Sequence, residues 1–207
     1  MSFQIHSRPR PAVRHGISLC LAVAVGNLPA SGGAQTFSIA PQADPLHGLQ
    51  NVAVEYDQVS GTDEQSINAS IEANSPRRPD GNWAMGQTRY TSRYRPLQIT
   101  TKGVCKVAKL ESQLGAIVVL PRLSEENSVP QRILAKWRPF IAALKEHEAG
   151  HIRLEYQHIH DFAVAIVGTS CSSYQAAYAA HEEASRATQE AYDRDTDSGA
   201  TQGAVLH

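Results

Sequence analysis

The spacing of apolar residues divides the chain into strand-like and helix-like stretches. Apolar and polar residues alternate over residues 51–60 and again over residues 83–120, and this period of two is typical of β-strands. Between these stretches, residues 63–74 follow a helical pattern with Thr62 as the candidate N-terminal cap. Lys102 and Gly103 mark a turn inside the second stretch, which therefore predicts two or three antiparallel strands.

The last third of the chain predicts two helices. Residues 131–167 repeat apolar side chains every three or four positions, and residues 168–172 interrupt the pattern before a second amphipathic stretch at residues 173–192. Two helices joined by a short turn run antiparallel. The predicted fold is therefore α+β, with a small antiparallel sheet packed against a long antiparallel helical hairpin.

The first helix of this hairpin carries the sequence His147-Glu148-Ala149-Gly150-His151. Residues four apart lie on one face of a helix, so both imidazoles can reach one Zn²⁺ ion while Glu148 lies beside it. In this HExxH arrangement the glutamate is the general base that takes a proton from a metal-bound water. The motif predicts His147 and His151 as zinc ligands and Glu148 as the catalytic residue.

Both histidines occupy positions where the apolar stripe of the helix continues from Leu144 towards Leu154. One alternative is a pair of core histidines satisfied by hydrogen bonds. The spacing, with a glutamate between the two, favours metal binding, because one ion satisfies both inward-facing imidazoles. The predicted stripe consists of Trp137, Phe140, Ile141, Leu144, Leu154, Phe162 and Ile166.

A catalytic zinc ion usually holds three protein ligands and a water, so one more ligand is needed. Position 157, where a histidine would extend the motif, is Gln157. If the hairpin turns near Cys171, equal rise along both helices places Asp193 opposite the two histidines. Asp193 is therefore the predicted third ligand. Three other acids within the same reach stay alternatives: Glu190, Asp195 and Asp197.

Several aromatic and histidine side chains have both a functional and a structural interpretation. Tyr192, beside the predicted ligand, is a candidate hydrogen-bond donor to the transition state, with core packing as the favoured alternative. Trp83, Tyr90 and Tyr94 could line a substrate groove, although the core of the sheet is the favoured position. Three further histidines are predicted to be surface or helix-packing residues, and His181 in particular to lie in the helix–helix contact: His158, His160 and His181.

Composition adds the number of domains and the compartment. The 207 residues, with 42% hydrophobic content and a net charge of −1, fit one globular domain and an export segment, and nothing in the charge favours nucleic acid. Residues 1–34 have the basic start, short apolar core and small residues of a signal peptide. That core is too short to cross a bilayer in the mature protein. We expect an irregular lead-in at 35–50, a domain at 51–207, and export to the periplasm or the medium.

Removal of the leader, which contains Cys20, leaves Cys105 and Cys171. An even pair of cysteines in an exported chain favours one disulfide, with two buried free thiols as the alternative. This bond would tie the region before the predicted zinc helix to the turn after it. The absence of CxxC spacing disfavours a cysteine-ligated zinc site.

Taken together, the chain resembles the predicted secreted zinc-dependent proteases, a bacterial family of exported proteins. The resemblance covers about residues 51–204, and its matching positions include Tyr56, Gly61-Thr62, Trp83, Thr88, Cys105, Val107, Leu120-Pro121, Trp137, Phe140, the HExxH motif, Cys171, Tyr192 to Thr196, Gly199 and Gln202-Gly203-Ala204. The family pattern closes with Tyr-Asp, Thr, one residue and His-Gly, whereas here Thr196-Asp197 is followed by Ser198-Gly199. If that histidine is the family's third ligand, Asp193 or Asp197 must substitute for it. If the aspartate of Tyr-Asp is the ligand, Asp193 keeps the set intact.

The predicted function is that of an exported zinc metallopeptidase acting on peptides or proteins. The alternative is a non-catalytic module, peptide-binding or structural, in which zinc only braces the hairpin. Ser198 in place of the expected histidine favours the alternative, whereas Glu148, which a structural zinc site does not require, favours the enzyme.

Overall fold

The computed structural model describes residues 44–75 and 83–207. Its strands are β1 (Val52–Val59), β2 (Gln87–Thr101) and β3 (Val104–Leu123), and its helices are α1 (Glu64–Asn74), α2 (Gln131–Ile166) and α3 (Tyr174–Asp195). One sheet packed on a helical hairpin confirms the α+β prediction. The predicted signal peptide, most of the lead-in and the loop at residues 76–82 lie outside the described residues.

The sheet is mixed rather than antiparallel, with the strand order β1-β3-β2. β2 and β3 form the predicted antiparallel hairpin, which turns at Lys102 and Gly103 with φ values of 50° and 79°. β1 pairs with β3 in parallel, with Val52 opposite Ala116. The central strand β3 therefore has an antiparallel neighbour on one side and a parallel neighbour on the other.

α1 begins with a cap one residue later than expected. Asp63, rather than Thr62, is the N-cap, and its carboxylate accepts a hydrogen bond from the Ser66 backbone N–H at 2.8 Å. The Ser66 hydroxyl in turn accepts from the Asp63 backbone N–H at 3.3 Å. This reciprocal pair satisfies two N–H groups that a helix start leaves open, which explains why Asp63 takes the cap position.

The core lies between the sheet and α2. Alternate residues of β3 are buried, among them Ala116, Val118 and Leu120, and they pack against Phe140 and Leu144 of α2 in one apolar cluster. The inward face of α2 differs from the predicted stripe beyond the motif, since Ile152 and Ile159 are buried and Leu154 is only partly so. Over ten turns a small error in the assumed helical period moves a predicted stripe by one position.

The disulfide and a second apolar cluster fix the far end of the hairpin. Cys105 of β3 is bonded to Cys171 in the turn between α2 and α3, with the two Cα atoms 5.5 Å apart, as the cysteine count predicts. Beside it, Val107 exchanges backbone hydrogen bonds with the turn, accepting from Gly168 at 2.8 Å and donating to Thr169 at 3.0 Å. These contacts fix the origin from which α3 runs back along α2.

Candidate metal centre

His147 and His151 project from α2 towards the returning helix α3, where Asp193 meets them. The His147 and His151 Nε2 atoms are 3.2 Å apart, and the Asp193 Oδ1 atom lies 3.2 Å from the first and 3.1 Å from the second. In the part of the chain that the structure describes, these three residues are the one group of His, Cys, Asp or Glu placed to share a metal ion. The hairpin register thus brings together the ligands predicted from the sequence.

The triangle has the dimensions of one face of a zinc coordination sphere. Tetrahedral zinc with bonds of about 2.0–2.1 Å to nitrogen and oxygen holds its ligand atoms roughly 3.3 Å apart. The observed edges of 3.1 and 3.2 Å match this spacing, and two imidazoles with one carboxylate form a donor set that zinc accepts.

Two glutamines orient the imidazoles from behind. The His151 Nδ1–H donates to Gln189 Oε1 at 2.7 Å, while the Gln189 amide nitrogen donates to the His151 carbonyl at 3.1 Å. The His147 Nδ1–H donates to Gln202 Oε1 at 3.0 Å. Because each Nδ1 carries the proton, each Nε2 presents a lone pair to Asp193. Metal-ligating histidines are typically held in this way.

The converging lone pairs make the centre a site for a cation. Two neutral imidazole nitrogens and one carboxylate oxygen repel one another unless a proton or metal ion lies among them. Burial disfavours the charged form of His151, but the hydrogen bonds that the protonated ring makes to Asp193 and Gln189 outweigh it and raise the pKa of the imidazole. The field within the triangle therefore favours positive charge.

Glu148 is buried beside the triangle, with 3% of its surface exposed. The Thr88 hydroxyl of β2 donates to Glu148 Oε2 at 2.6 Å. Burial raises the pKa of Glu148, and the hydrogen bond from Thr88 opposes that rise. At Gly86, a Cβ atom would lie 2.7 Å from Glu148 Oε1, so the glycine leaves room for this oxygen.

Tyr192 packs against the histidines of the centre, and its hydroxyl is engaged within the protein. Its ring stacks on His147 with centroids 5.0 Å apart, and the hydroxyl accepts a hydrogen bond from the Gln202 amide at 3.1 Å. A Cβ atom on Gly150 would lie 2.1 Å from that hydroxyl, so the glycine of the motif makes space for it. The geometry therefore supports the packing role of Tyr192 rather than that of a transition-state donor.

The alternative third ligands lie around an opening instead of within the triangle. An open groove of about 890 Å³ is lined by residues from β2 and the segment before it, from α2, and from the end of α3 and the turn after it, including Gly86, Thr88, Tyr90, Glu148, Asp193 and Ser198. Glu190 and Asp197 also line it, and Asp195 is exposed. Ser198, where the resemblance led us to expect a histidine, also lines the groove.

The remaining histidines are placed as predicted from the hairpin. His181 is buried between the helices, stacked on Phe162 at 4.5 Å, and its Nε2 atom lies 2.9 Å from the Tyr94 hydroxyl. Tyr94 belongs to the sheet core, as favoured, whereas Tyr90 both packs on the core and lines the groove. His160 is exposed.

Sequence reasoning missed the two glutamines and the role of Thr88. Gln189 precedes Asp193 by one helical turn, so helical spacing from the predicted ligand could have identified it. Thr88 lies on a strand 60 residues from its partner Glu148. Gln202 follows α3 in a short 3₁₀ turn, Ala200–Gln202, whose position no periodicity specifies.

Fold and site together define an α+β domain with a candidate metal centre on a helical hairpin and a buried glutamate beside it. The chain belongs to the bacterial protein family of unknown function DUF922, whose sequence profile matches residues 54–200, about seven-tenths of the chain. Comparison with curated proteins gave no match, and comparison with solved structures gave none. Membership of this family is established, whereas zinc binding and protease activity stay predictions.

Proposed function

We propose that the protein is an exported zinc metallopeptidase. The observation that carries the proposal is the buried Glu148 carboxylate, held by Thr88 beside three converging ligand atoms. Burial of a carboxylate destabilises a fold, and a zinc site that only braces two helices does not need one. A catalytic role for Glu148 accounts for a carboxylate at this buried position.

His147, His151 and Asp193 would hold the ion, with Gln189 and Gln202 fixing the imidazoles. Zinc bound there would supply a Lewis acid that polarises a carbonyl and lowers the pKa of water. The groove beside the triangle falls within the range of ligand pockets, about 300–1,000 Å³, and its open form suits a peptide chain.

Glu148 performs the proton transfers in this proposal. Its Oε2 atom is engaged by Thr88, while Oε1 borders Gly86 at the groove. Oε1 accepts a proton from the water that attacks the peptide carbonyl and then donates it to the leaving amine nitrogen. Because burial raises the pKa of Glu148, the carboxyl group is a stronger base in the first step and holds the proton for the second.

Export is proposed from two features of the chain. The first is the signal-peptide pattern of residues 1–34, and the second is the disulfide between Cys105 and Cys171, a bond that persists in oxidising compartments. The periplasm or the external medium fits both. Among the described residues, no helix combines the length and apolar character that a membrane crossing requires.

The test is Glu148→Gln, with Glu155→Gln as the matched control. Glu155 is also buried on α2, seven residues further along, where Ser185 donates to it at 2.5 Å. Zinc content by atomic absorption and hydrolysis of an unfolded protein substrate are measured for both variants. We expect Glu148→Gln to keep its zinc and lose at least about 100-fold in hydrolysis, and Glu155→Gln to keep both.

The non-catalytic alternative predicts a different result. A module in which zinc only braces the hairpin would bind zinc in the wild type, show no hydrolysis, and behave identically after Glu148→Gln. Zinc-loaded wild-type protein that cleaves neither unfolded proteins nor a mixed peptide library would contradict the peptidase proposal.

A further inference from the structure

One face of β2 presents four polar side chains to the helical hairpin, at alternate positions from 88 to 94. Three of them have partners. The Thr88 hydroxyl donates to Glu148 at 2.6 Å, the Ser92 hydroxyl to Glu155 at 3.5 Å, and the Tyr94 hydroxyl lies 2.9 Å from His181 Nε2. Each of these three hydroxyl groups on β2 thus faces a polar side chain of α2 or α3.

Tyr90 is the exception on this face. Its hydroxyl is buried and has no hydrogen-bond partner among the described residues. The side chain packs on the core and also lines the groove, between the positions of Thr88 and Ser92. Because a buried donor without a partner destabilises the folded protein, its presence calls for an explanation.

We propose that the Tyr90 hydroxyl is a hydrogen-bond donor to the carbonyl oxygen of a substrate bound in the groove beside Glu148. The identity of this acceptor rests on the proposed peptidase function. The role is that of a catalytic residue, since the phenol touches the oxygen on which negative charge develops during attack on the carbonyl.

The surroundings of Tyr90 suit this role better than those of Tyr192. Burial and the Glu148 carboxylate raise the pKa of Tyr90, so the phenol stays protonated and able to donate. A donor shielded from bulk water is stronger than one in water and needs no reorganisation when charge develops. The Tyr192 hydroxyl, by contrast, is engaged by Gln202 and packed against Gly150.

The first measurement is thermal stability. It distinguishes a hydroxyl without a hydrogen-bond partner, whose removal stabilises the fold, from a hydroxyl that makes a stabilising hydrogen bond. Tyr90→Phe removes an unsatisfied donor, so the melting temperature of the metal-free protein should rise by about 2–4 °C. Tyr94→Phe is the matched control on the same strand face. It removes the bond to His181, and the melting temperature should fall by a similar amount.

The second measurement is hydrolysis by the zinc-loaded protein. Tyr90→Phe should lower kcat by about 10–100-fold with KM within about threefold, because the bond strengthens only as charge develops. Tyr94→Phe should leave both constants unchanged. A fall in melting temperature for Tyr90→Phe, or hydrolysis within twofold of wild type, overturns the proposal.

A third measurement tests the role of Tyr90 independently of peptidase activity. If the zinc-loaded wild type hydrolyses nothing, the peptidase proposal fails, and calorimetric binding of acetohydroxamate, a small carbonyl-containing zinc ligand, decides the role of Tyr90. At least about fivefold weaker binding by Tyr90→Phe, with Tyr94→Phe unchanged, supports a donor to ligands in the groove. Equal binding by both variants, or no binding by the wild type, overturns it.

Discussion

Asp193→Asn tests whether the third corner of the triangle is a metal ligand. Asparagine keeps the shape of the side chain and one oxygen but removes the charge that lies 3.1 and 3.2 Å from the two Nε2 atoms. The attraction between Zn²⁺ and one negative charge at about 2 Å is roughly 4 kcal/mol even with the dielectric constant of water, about 1,000-fold in affinity. The amide oxygen restores part of this, so we expect zinc to bind about 100-fold more weakly.

The weaker zinc binding of Asp193→Asn should also lower the melting temperature of the zinc-loaded protein. At free zinc about 1,000 times the wild-type Kd, binding stabilises the fold by about 4 kcal/mol, which raises the melting temperature of a protein of this size by about 8–16 °C. With affinity about 100-fold lower, the same zinc concentration adds only about 1.4 kcal/mol, or about 3–6 °C. Metal removal with a chelator should therefore destabilise the wild type far more than Asp193→Asn.

The assay combines zinc competition against a chromophoric chelator with thermal melts followed by circular dichroism. Asp197→Asn and Glu190→Gln are the matched controls, since both acids line the groove outside the triangle. Their zinc affinities should stay within about threefold of wild type. The reasoning would be refuted if Asp193→Asn bound zinc as tightly as the wild type, or if Asp197→Asn lost affinity instead.

The remaining predictions concern the supports of the centre. Gln202→Met removes the hydrogen-bond acceptor behind His147 and should weaken zinc binding by about 10–100-fold in the same competition assay. The control is Gln157→Met, at an exposed position of α2. Equal zinc affinities of the two variants would contradict the orienting role of Gln202. The double variant Cys105→Ala/Cys171→Ala opens a crosslink between residues 66 apart and should lower the free energy of unfolding by about 4 kcal/mol in urea titrations. A loss under about 1 kcal/mol would show that the crosslink does not constrain the unfolded chain.

The position of Asp193 beside the two histidines was predictable because helices are regular. Each residue of α2 and α3 adds a fixed rise, so a turn near Cys171 places Asp193 opposite the histidine pair without any knowledge of the sheet. The hairpin of β2 and β3 was similarly predictable, because Lys102-Gly103 accepts the positive φ angles of a tight turn. Local regularity decides the geometry in both cases, although over the full length of α2 the assumed period placed Leu154 rather than Ile152 on the buried face.

The parts that failed depend on packing between distant segments. Alternation identifies β1 as a strand, but its parallel pairing with β3 brings Val52 opposite the distant Ala116, and no pattern within β1 specifies that partner. The same holds for Gln202, since its amide reaches His147 across 55 residues from a turn without periodicity. The unpartnered state of the Tyr90 hydroxyl is likewise a property of the assembled core, and only the structure exposes it.

The polar groups on the inward face of α2 connect these observations. His147, Glu148 and Glu155 occupy buried positions where apolar side chains would stabilise the helix more. Glu155 is satisfied by Ser185 and Ser92 within the protein, but the two Nε2 atoms at the centre are left facing one another and a carboxylate. Gln189 and Gln202 bind the Nδ1 atoms on the outer side of the two rings, so the Nε2 lone pairs and the Asp193 carboxylate converge on the inner side. Glutamines behind both imidazoles, together with a buried acid and an unpartnered phenol at the same groove, are what the proposed catalytic role requires, whereas a metal ion that only braced the two helices would need neither the acid nor the phenol.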